Sequence, residues 1–335
     1  MMKRLKILLD ISLMLSPLLL WFVVTQPLFD FGGGAPKNTL AIDISPERLK
    51  AHVRKLAEEL PPRTFPDYLD QSAAYIQEQW SAYGKVDVLP YQSDGETYRN
   101  LSITFGSTVG AAVGPSLIIG AHYDAHESQP GADDNASGVA GLLELARLLS
   151  HASLDRPVTL VAFTLEEPPF FRTPDMGSAV YAKALQEQGT AVELVMILEM
   201  IGYYSDEPDS QSYPLPLMSY LYSDRGDFIA VVGDLGSMGI VRQTKADMRQ
   251  AMTLPVYSIN APRLLPGIDF SDHRSFWARG FPALMITDTA FYRNLNYHSK
   301  ADTWDKLDYV RMADVLRGVM AVIVERAGQN DKSNI

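Results

Sequence analysis

The sequence predicts an α/β fold, with a mixed, mainly parallel central sheet covered by helices on both faces, preceded by one N-terminal transmembrane helix. Three observations carry this expectation. Apolar runs of strand length recur at 116–121, 158–165, 192–198 and 282–287. Helix-patterned stretches fall between or after them, the rhythm of crossovers between parallel strands. A basic-flanked apolar segment, 7–24, stands at the N-terminus.

Lys3, Arg4 and Lys6 precede that segment, and Asp10 is its one charged interruption. As a helix at 1.5 Å per residue it would reach roughly 27 Å, close to the ~30 Å hydrocarbon core. The basic flank predicts an N-in orientation, with the remaining chain outside the cytoplasm. Asp10 lies near the cytoplasmic end, where it can snorkel toward the headgroups. A cleaved signal peptide is the competing reading, but no A-x-A site follows Val24 and the apolar stretch is long for one. The expected organisation is an anchor over 1–30, a linker over 31–44 containing Gly32, Gly33, Gly34 and Pro36, and one large domain over 45–335.

Composition narrows the chemistry. The 335 residues carry a formal net charge of -11 and include no cysteine. Disulfides, thiol catalysis and cysteine-ligated zinc are excluded, so a metal must be held by His and carboxylates. The acidic balance and lack of a basic patch argue against nucleic acid as a partner.

Within the domain, Ser45 starts a helix with Glu47 in its first turn, stopped by Pro61 and Pro62. A second helical pattern covers 68–83. Strands are expected at 86–89 and 100–105, leading as a meander into the central strand 116–121. A loop rich in Gly and small polar residues follows, and then an amphipathic helix, 139–149, with Asn135 or Ser137 near its N-cap. A helix at 178–187 separates the strands 158–165 and 192–198. Another strand is expected at 228–233, and a long helix, 309–325, finishes the chain. The stretches 205–216 and 252–269 read as loops near the site. Sequons at Asn100 and Asn135 carry little weight, the second lying inside the polar loop.

The chemistry collects where the strands end. The central run leads into His122-Tyr123-Asp124 and then Asp133-Asp134. The run 158–165 ends in Glu166-Glu167, the run 192–198 in Glu199, and Asn296-Tyr297-His298 follow the run 282–287. Parallel strands bring such ends to one sheet edge, where open α/β folds place ligands. Two His with three ligating carboxylates suit a pair of zinc ions, one carboxylate bridging, with a further carboxylate left as general base.

At these residues the chain resembles metallopeptidase family 28. The resemblance rests on His122-x-Asp124, Gly131-Ala-Asp-Asp-Asn-Ala-Ser-Gly138, Glu166-Glu167, Glu199-Met-Ile-Gly202 and Tyr297-His298. Ser271-Asp-His-Arg-Ser-Phe-Trp277 followed by Gly280-Phe-Pro-Ala283 is similar to a further stretch of that family. The family comprises co-catalytic zinc aminopeptidases and carboxypeptidases, with one-zinc glutaminyl cyclases as close relatives.

The resemblance implies two Zn2+ per chain and a peptide or peptide-like substrate. It implies that Asp134 bridges the ions, with His122 and Glu199 completing one and Glu167 and His298 the other. Glu166 would be the general base, Asp124 would hold the His122 imidazole in its ligating tautomer, and Tyr297 would polarise the substrate carbonyl. Glu199 stands where the family more often has Asp, and Pro168-Pro-Phe-Phe171 replaces its usual Gly-rich sequence.

Each residue has a plainer reading. Adjacent glutamates are usually a solvated turn, yet Glu166 and Glu167 directly follow an apolar run. Glu199 sits between Leu198 and Met200, where an unpaired carboxylate would be costly to bury. His126 and His273 are expected to support the site or the core, His52 and His151 to lie at the surface, and Phe170 and Phe171 to line a pocket or the core. The expected function is a two-zinc exopeptidase, most simply an aminopeptidase. A glutaminyl cyclase-like acyltransferase and a non-catalytic peptidase-like ectodomain are the alternatives.

Overall fold

In the computed structural model the described residues are 43–328, apart from Pro61 and 107–113, together with Trp21, Val24 and Thr25. The expected anchor therefore lies almost wholly outside them, as does most of the linker. Among the described residues no helix is long and apolar enough to cross a membrane.

Helix α1 (Pro46–Arg54) is capped by the Ser45 hydroxyl, which accepts from Arg48 N, and continues through a wider turn, Lys55–Glu59. Helix α2 (Pro66–Ser81) begins on Pro66, two residues before the expected start, because proline suits the first helical position. Strands β1 (Val86–Ser93) and β2 (Glu96–Phe105) are longer than expected. They pair from Ser93↔Glu96 onward around Asp94-Gly95, both with positive φ, the two-residue turn that Asp-Gly favours. The chain then runs through β3 (Ser116–His122), α3 (Gly138–Leu149), β4 (Val158–Phe163), α4 (Gly177–Glu187) and β5 (Val192–Glu199). It continues with β6 (Ile229–Gly233), α5 (Met238–Arg249), β7 (Val256–Asn260), α6 (His273–Ala278), β8 (Ala283–Thr287) and α7 (Tyr309–Ala327).

Strand β7 corrects the loop expected over 252–269, and α5 had no counterpart in the sequence reading. Both have polar inner faces. The buried positions of β7 include Ser258 and Asn260, and those of α5 include Thr244, Lys245 and Asp247, so neither shows a clean apolar period.

The eight strands make one mixed sheet in the order β1-β2-β4-β3-β5-β8-β6-β7. Strands β4, β3, β5 and β8 are mutually parallel. Strand β2 runs antiparallel to β4, and β6 antiparallel to β8. The chain leaves β3 for β4 on one side, then crosses to β5 on the other, so a topological switch point lies beside β3.

Helices cover both faces. Leu117, Ile119 and Ala121 pack with Val139 and Leu142 of α3 and with Leu316 of α7. Ile118, Phe163 and Ile197 pack on the opposite face with Ala182 of α4 and Phe276 of α6. Gly120 admits the Phe163 ring to this second layer, since a Cβ there would lie 2.3 Å from it.

Candidate metal centre

The four parallel strands deliver their polar ends to one edge. His122 is the last residue of β3 and pairs in register with Phe163 of β4. Strand β4 stops two residues short of the expected Leu165. Thr164 N donates to Asn100 Oδ1, and Leu165 takes a left-handed φ of +58° that turns the chain toward Glu166 and Glu167. Glu199 ends β5 opposite Thr287 of β8. His122, Asp124, Asp134, Glu166, Glu167 and Glu199 are all buried, and His298 is partly exposed.

Asp134 stands between the two imidazoles. Its Oδ1 is 3.3 Å from His122 Nε2 and its Oδ2 is 3.1 Å from His298 Nε2. Glu199 Oε2 lies 3.5 Å from His122 Nε2, and Glu167 Oε2 lies 3.2 Å from His298 Nε2. Two groups that could each hold a metal ion result: His122, Asp134 and Glu199, and Asp134, Glu167 and His298, with ligand atoms within 4.8 Å of one another in each. Glu166 belongs to neither, though its Oε2 is 3.9 Å from His122 Nε2. Asp124 ties the halves together, with Oδ1 3.4 Å from His122 Nδ1 and Oδ2 accepting from Glu167 N at 3.0 Å.

These groups fit cationic metal better than they fit each other. His122 Nε2, His298 Nε2 and Glu167 Oε1 are buried with no hydrogen-bond partner among the described residues, an arrangement that costs free energy unless something else binds them. Burial alone would lower both imidazoles. The carboxylates of Glu199, Asp124 and Asp134 instead carry His122 well above its ordinary value, and Asp134 with Glu167 pushes His298 up to about 10. Burial, with Asp134 beside it, pushes Glu167 up to about 8. Buried carboxylates crowded around two imidazoles, with only N and O donors, suit divalent zinc.

The loop that presents Asp134 is held partly by residues of its own motif, Asn135 among them as expected near the N-cap, and partly by Asp302, which the sequence reading did not single out. Gly131 enters it with φ +58°, and a Cβ there would lie 2.3 Å from Asp134 O. The Asp302 carboxylate accepts from Asp133 N and Asp134 N, at 3.0 and 3.1 Å. Asp133 itself turns away from Asp134, accepting from Gly202 N and Asn294 Nδ2. Asn135 donates to Leu198 O and accepts from Gly138 N and Met200 N, so it caps α3 and ties the loop to the end of β5. Its side chain, like that of Asn100, is committed to the interior. Ser271 donates to Glu199 Oε2 at 2.5 Å, which orients the longer arm at that position.

Arg63 is wholly buried and donates to the carbonyls of Leu56, Tyr123, Pro130 and Gly131. Nothing local in Pro62-Arg63-Thr64 marks it. Arg63→Met would strand four buried acceptors, so a destabilisation of about 3 kcal/mol or more is expected, read as a shift in the urea midpoint. A change below about 1 kcal/mol would show that other contacts hold the loop.

The remaining sequence candidates divide. His126 stacks on His298 at 3.8 Å, and Tyr297 also stacks on His298 at 3.8 Å, so the ring is steadied by two neighbours. His273 is buried against Trp277, with Nε2 2.7 Å from Ile268 O. His52 corrects its surface expectation, being partly buried with Nδ1 2.6 Å from Tyr75 OH because α1 packs its edge inward, while His151 is exposed. Phe170 packs against the core beside Tyr98; Phe171 lies against Phe270. An aromatic-rich cleft opens beside the centre, with Glu199, Tyr297, Phe270, Phe291, Tyr257 and Met285 in its walls. Both expected loop stretches contribute, through Tyr213 and Ile268.

The chain is 50% identical over 290 residues to the uncharacterized protein YfbL of Escherichia coli (strain K12), covering 83% of this chain and 88% of that one. It is 27% identical over 246 residues to the probable aminopeptidase YDR415C of Saccharomyces cerevisiae, covering 69% and 59%. Its fold is similar to that of BSAP, a zinc aminopeptidase from Bacillus subtilis, with a TM-score of 0.68 at 15% identity over 87% of this chain and 97% of that one. The model of peptidase family M28 matches residues 104–323, a span that holds both histidines and every acidic residue of the centre, and the chain belongs to that family.

Proposed function

We propose that this chain is a two-zinc exopeptidase, an aminopeptidase that hydrolyses the first peptide bond of short peptides. The carrying observation is the sharing of Asp134 by two three-residue clusters while Glu166 stays outside both. Zinc held there supplies Lewis-acid polarisation. Glu166 then takes a proton from the water that attacks the scissile carbonyl and passes it to the leaving nitrogen as the C–N bond breaks. Burial, with Glu199 and Glu167 nearby and against the effect of His122, raises its carboxyl well above the ordinary range. Tyr297 lines the cleft wall, which supports a role for its hydroxyl in donating to the carbonyl oxygen.

Two features favour an amino terminus as the recognised end. Asp124, Asp134, Glu166, Glu167 and Glu199 crowd acidic side chains at one edge of the site, which suits a substrate ammonium group. The adjoining aromatic cleft suits one apolar side chain. A one-zinc cyclase would leave a complete second cluster unused, and a purely binding ectodomain would have no need of Glu166. The test is zinc content and turnover of the purified protein on aminoacyl and blocked aminoacyl anilides. Close to two zinc per chain, cleavage of the free amine only, and loss of activity on chelation are expected. Full activity of the metal-free protein would end the reading.

The apolar stretch 7–24, with its basic flank, further supports retention as a membrane anchor with the catalytic domain outside the cytoplasm. The protein should then stay with membranes through a carbonate wash. Recovery of a soluble form beginning downstream of Val24 would identify a cleaved signal peptide instead.

A further inference from the structure

Arg172 and Arg274 form a cationic pair beside a centre otherwise built from carboxylates. Each stands about one turn from a residue of that centre. Phe171, next to Arg172, donates its N–H to Glu167 O at 3.2 Å, and Arg274 N donates to Ser271 O, the residue whose hydroxyl holds Glu199. The two guanidiniums share a single carboxylate. Arg172 Nη2 is 2.6 Å from Asp269 Oδ1, and Arg274 Nε is 3.6 Å from Asp269 Oδ2, beyond hydrogen-bond reach. Arg274 Nε is buried without a hydrogen-bond partner, and the one carboxylate of Asp269 faces both positive charges. Burial lowers the Arg274 guanidinium below its ordinary value, while Asp269 and the charge of Glu166 act against that.

Aromatic rings flank the pair. Arg172 Cζ lies 5.3 Å from the Phe171 ring and 5.1 Å from the Phe270 ring, and Arg274 Cζ lies 5.7 Å from Phe171. Stacking of this kind occupies the faces of a guanidinium and leaves its N–H edge for a planar, two-oxygen acceptor. Phe270 is also a wall of the cleft, so Arg172 lies against the far side of that wall residue.

We propose that Arg172 and Arg274 bind the C-terminal carboxylate of the leaving residue, which makes dipeptides with a free C-terminus the preferred substrates. This rests on the exopeptidase reading. The proton held by Glu166 must reach the leaving nitrogen, so the leaving residue passes on the Glu166 side, from which the turn after Glu166-Glu167, closed by Phe171 N on Glu167 O, leads to Arg172. The apolar side chain takes the cleft. In a dipeptide the carboxylate carbon is only about 4 Å from the scissile carbon by covalent geometry, whereas each added residue moves the carboxylate about 3.5 Å further out.

The experiment compares kcat/KM of the zinc-loaded, detergent-solubilised full chain on Leu-Phe, Leu-Phe-amide and Leu-Phe-Ala, with leucine anilide as a reference. The wild type should prefer Leu-Phe over the amide and over the tripeptide by about tenfold or more, the scale of one charge-assisted hydrogen bond. Arg274→Gln and Arg172→Gln should each lower the acid-to-amide ratio about tenfold, and Arg274→Lys should restore it only in part, keeping charge without the planar fork. Reading a ratio within one preparation cancels losses from misfolding. Equal rates on acid and amide in the wild type would overturn the proposal, as would a ratio unmoved in both glutamine variants. In either case leucine anilide would still be cleaved, whereas failure on every substrate would instead sink the exopeptidase reading.

Discussion

Asp134→Ala is expected to remove both metals at once. Each of its oxygens faces a different imidazole, at 3.3 and 3.1 Å, so no other residue can make good its loss at either position. Groups that merely hydrogen-bond to ligands cost ~10–100-fold in affinity when removed, and a shared ligand should cost more than that at both positions. Activity should fall to background and should return little with added zinc. The domain should still fold, because the loop is held through the main chain by Asp302 and through Asn135, neither contact needing the Asp134 side chain. Metal analysis alongside circular dichroism checks this. A variant that keeps one tightly bound zinc would show that the positions do not share Asp134.

Glu166→Gln and Glu167→Gln should fail in different ways despite being neighbours. Glutamine at 166 keeps the size and polarity but cannot accept a proton. Zinc content should therefore survive while kcat falls ~10²–10⁴-fold, about 3–5 kcal/mol in activation free energy. Glutamine at 167 removes the anionic oxygen that stands 3.2 Å from His298 Nε2, so one zinc should bind more weakly and activity should recover partly as zinc is added. Paired metal content and turnover across a zinc titration separate the two. If Glu166→Gln loses zinc and Glu167→Gln keeps it, the roles are reversed. If both variants keep metal and rate, the chemistry lies elsewhere.

The residues that approach one another at the centre were readable because each sits at a predictable place, the end of an apolar strand-length run or the polar loop after it. His122, Glu166-Glu167 and Glu199 needed only the strands to be parallel, and β4, β3, β5 and β8 are. His298 and Asp134 needed more, since their loops carry no period, and there the resemblance of whole motifs supplied what spacing did not. Elements with polar inner faces were the ones overlooked. Strand β7 buries Ser258 and Asn260, and α5 buries Lys245 and Asp247, so the alternation that reveals a strand or helix was absent.

By itself, then, the sequence determined the strand-rich α/β class, the edge at which the chemistry gathers, and a ligand chemistry limited to His and carboxylates by the absence of cysteine. Only the tertiary structure decided which groups support that chemistry. Asp302 meets the Asp134 main chain across 168 residues, Ser271 meets Glu199 across 72, and Arg63 meets Gly131 across 68. The physical reason is that hydrophobic period and capping report on a residue's nearest turn or strand. A hydrogen bond between distant loops depends instead on where the whole sheet carries their ends, and a polar residue in a loop reads the same whether it faces water or a buried N–H.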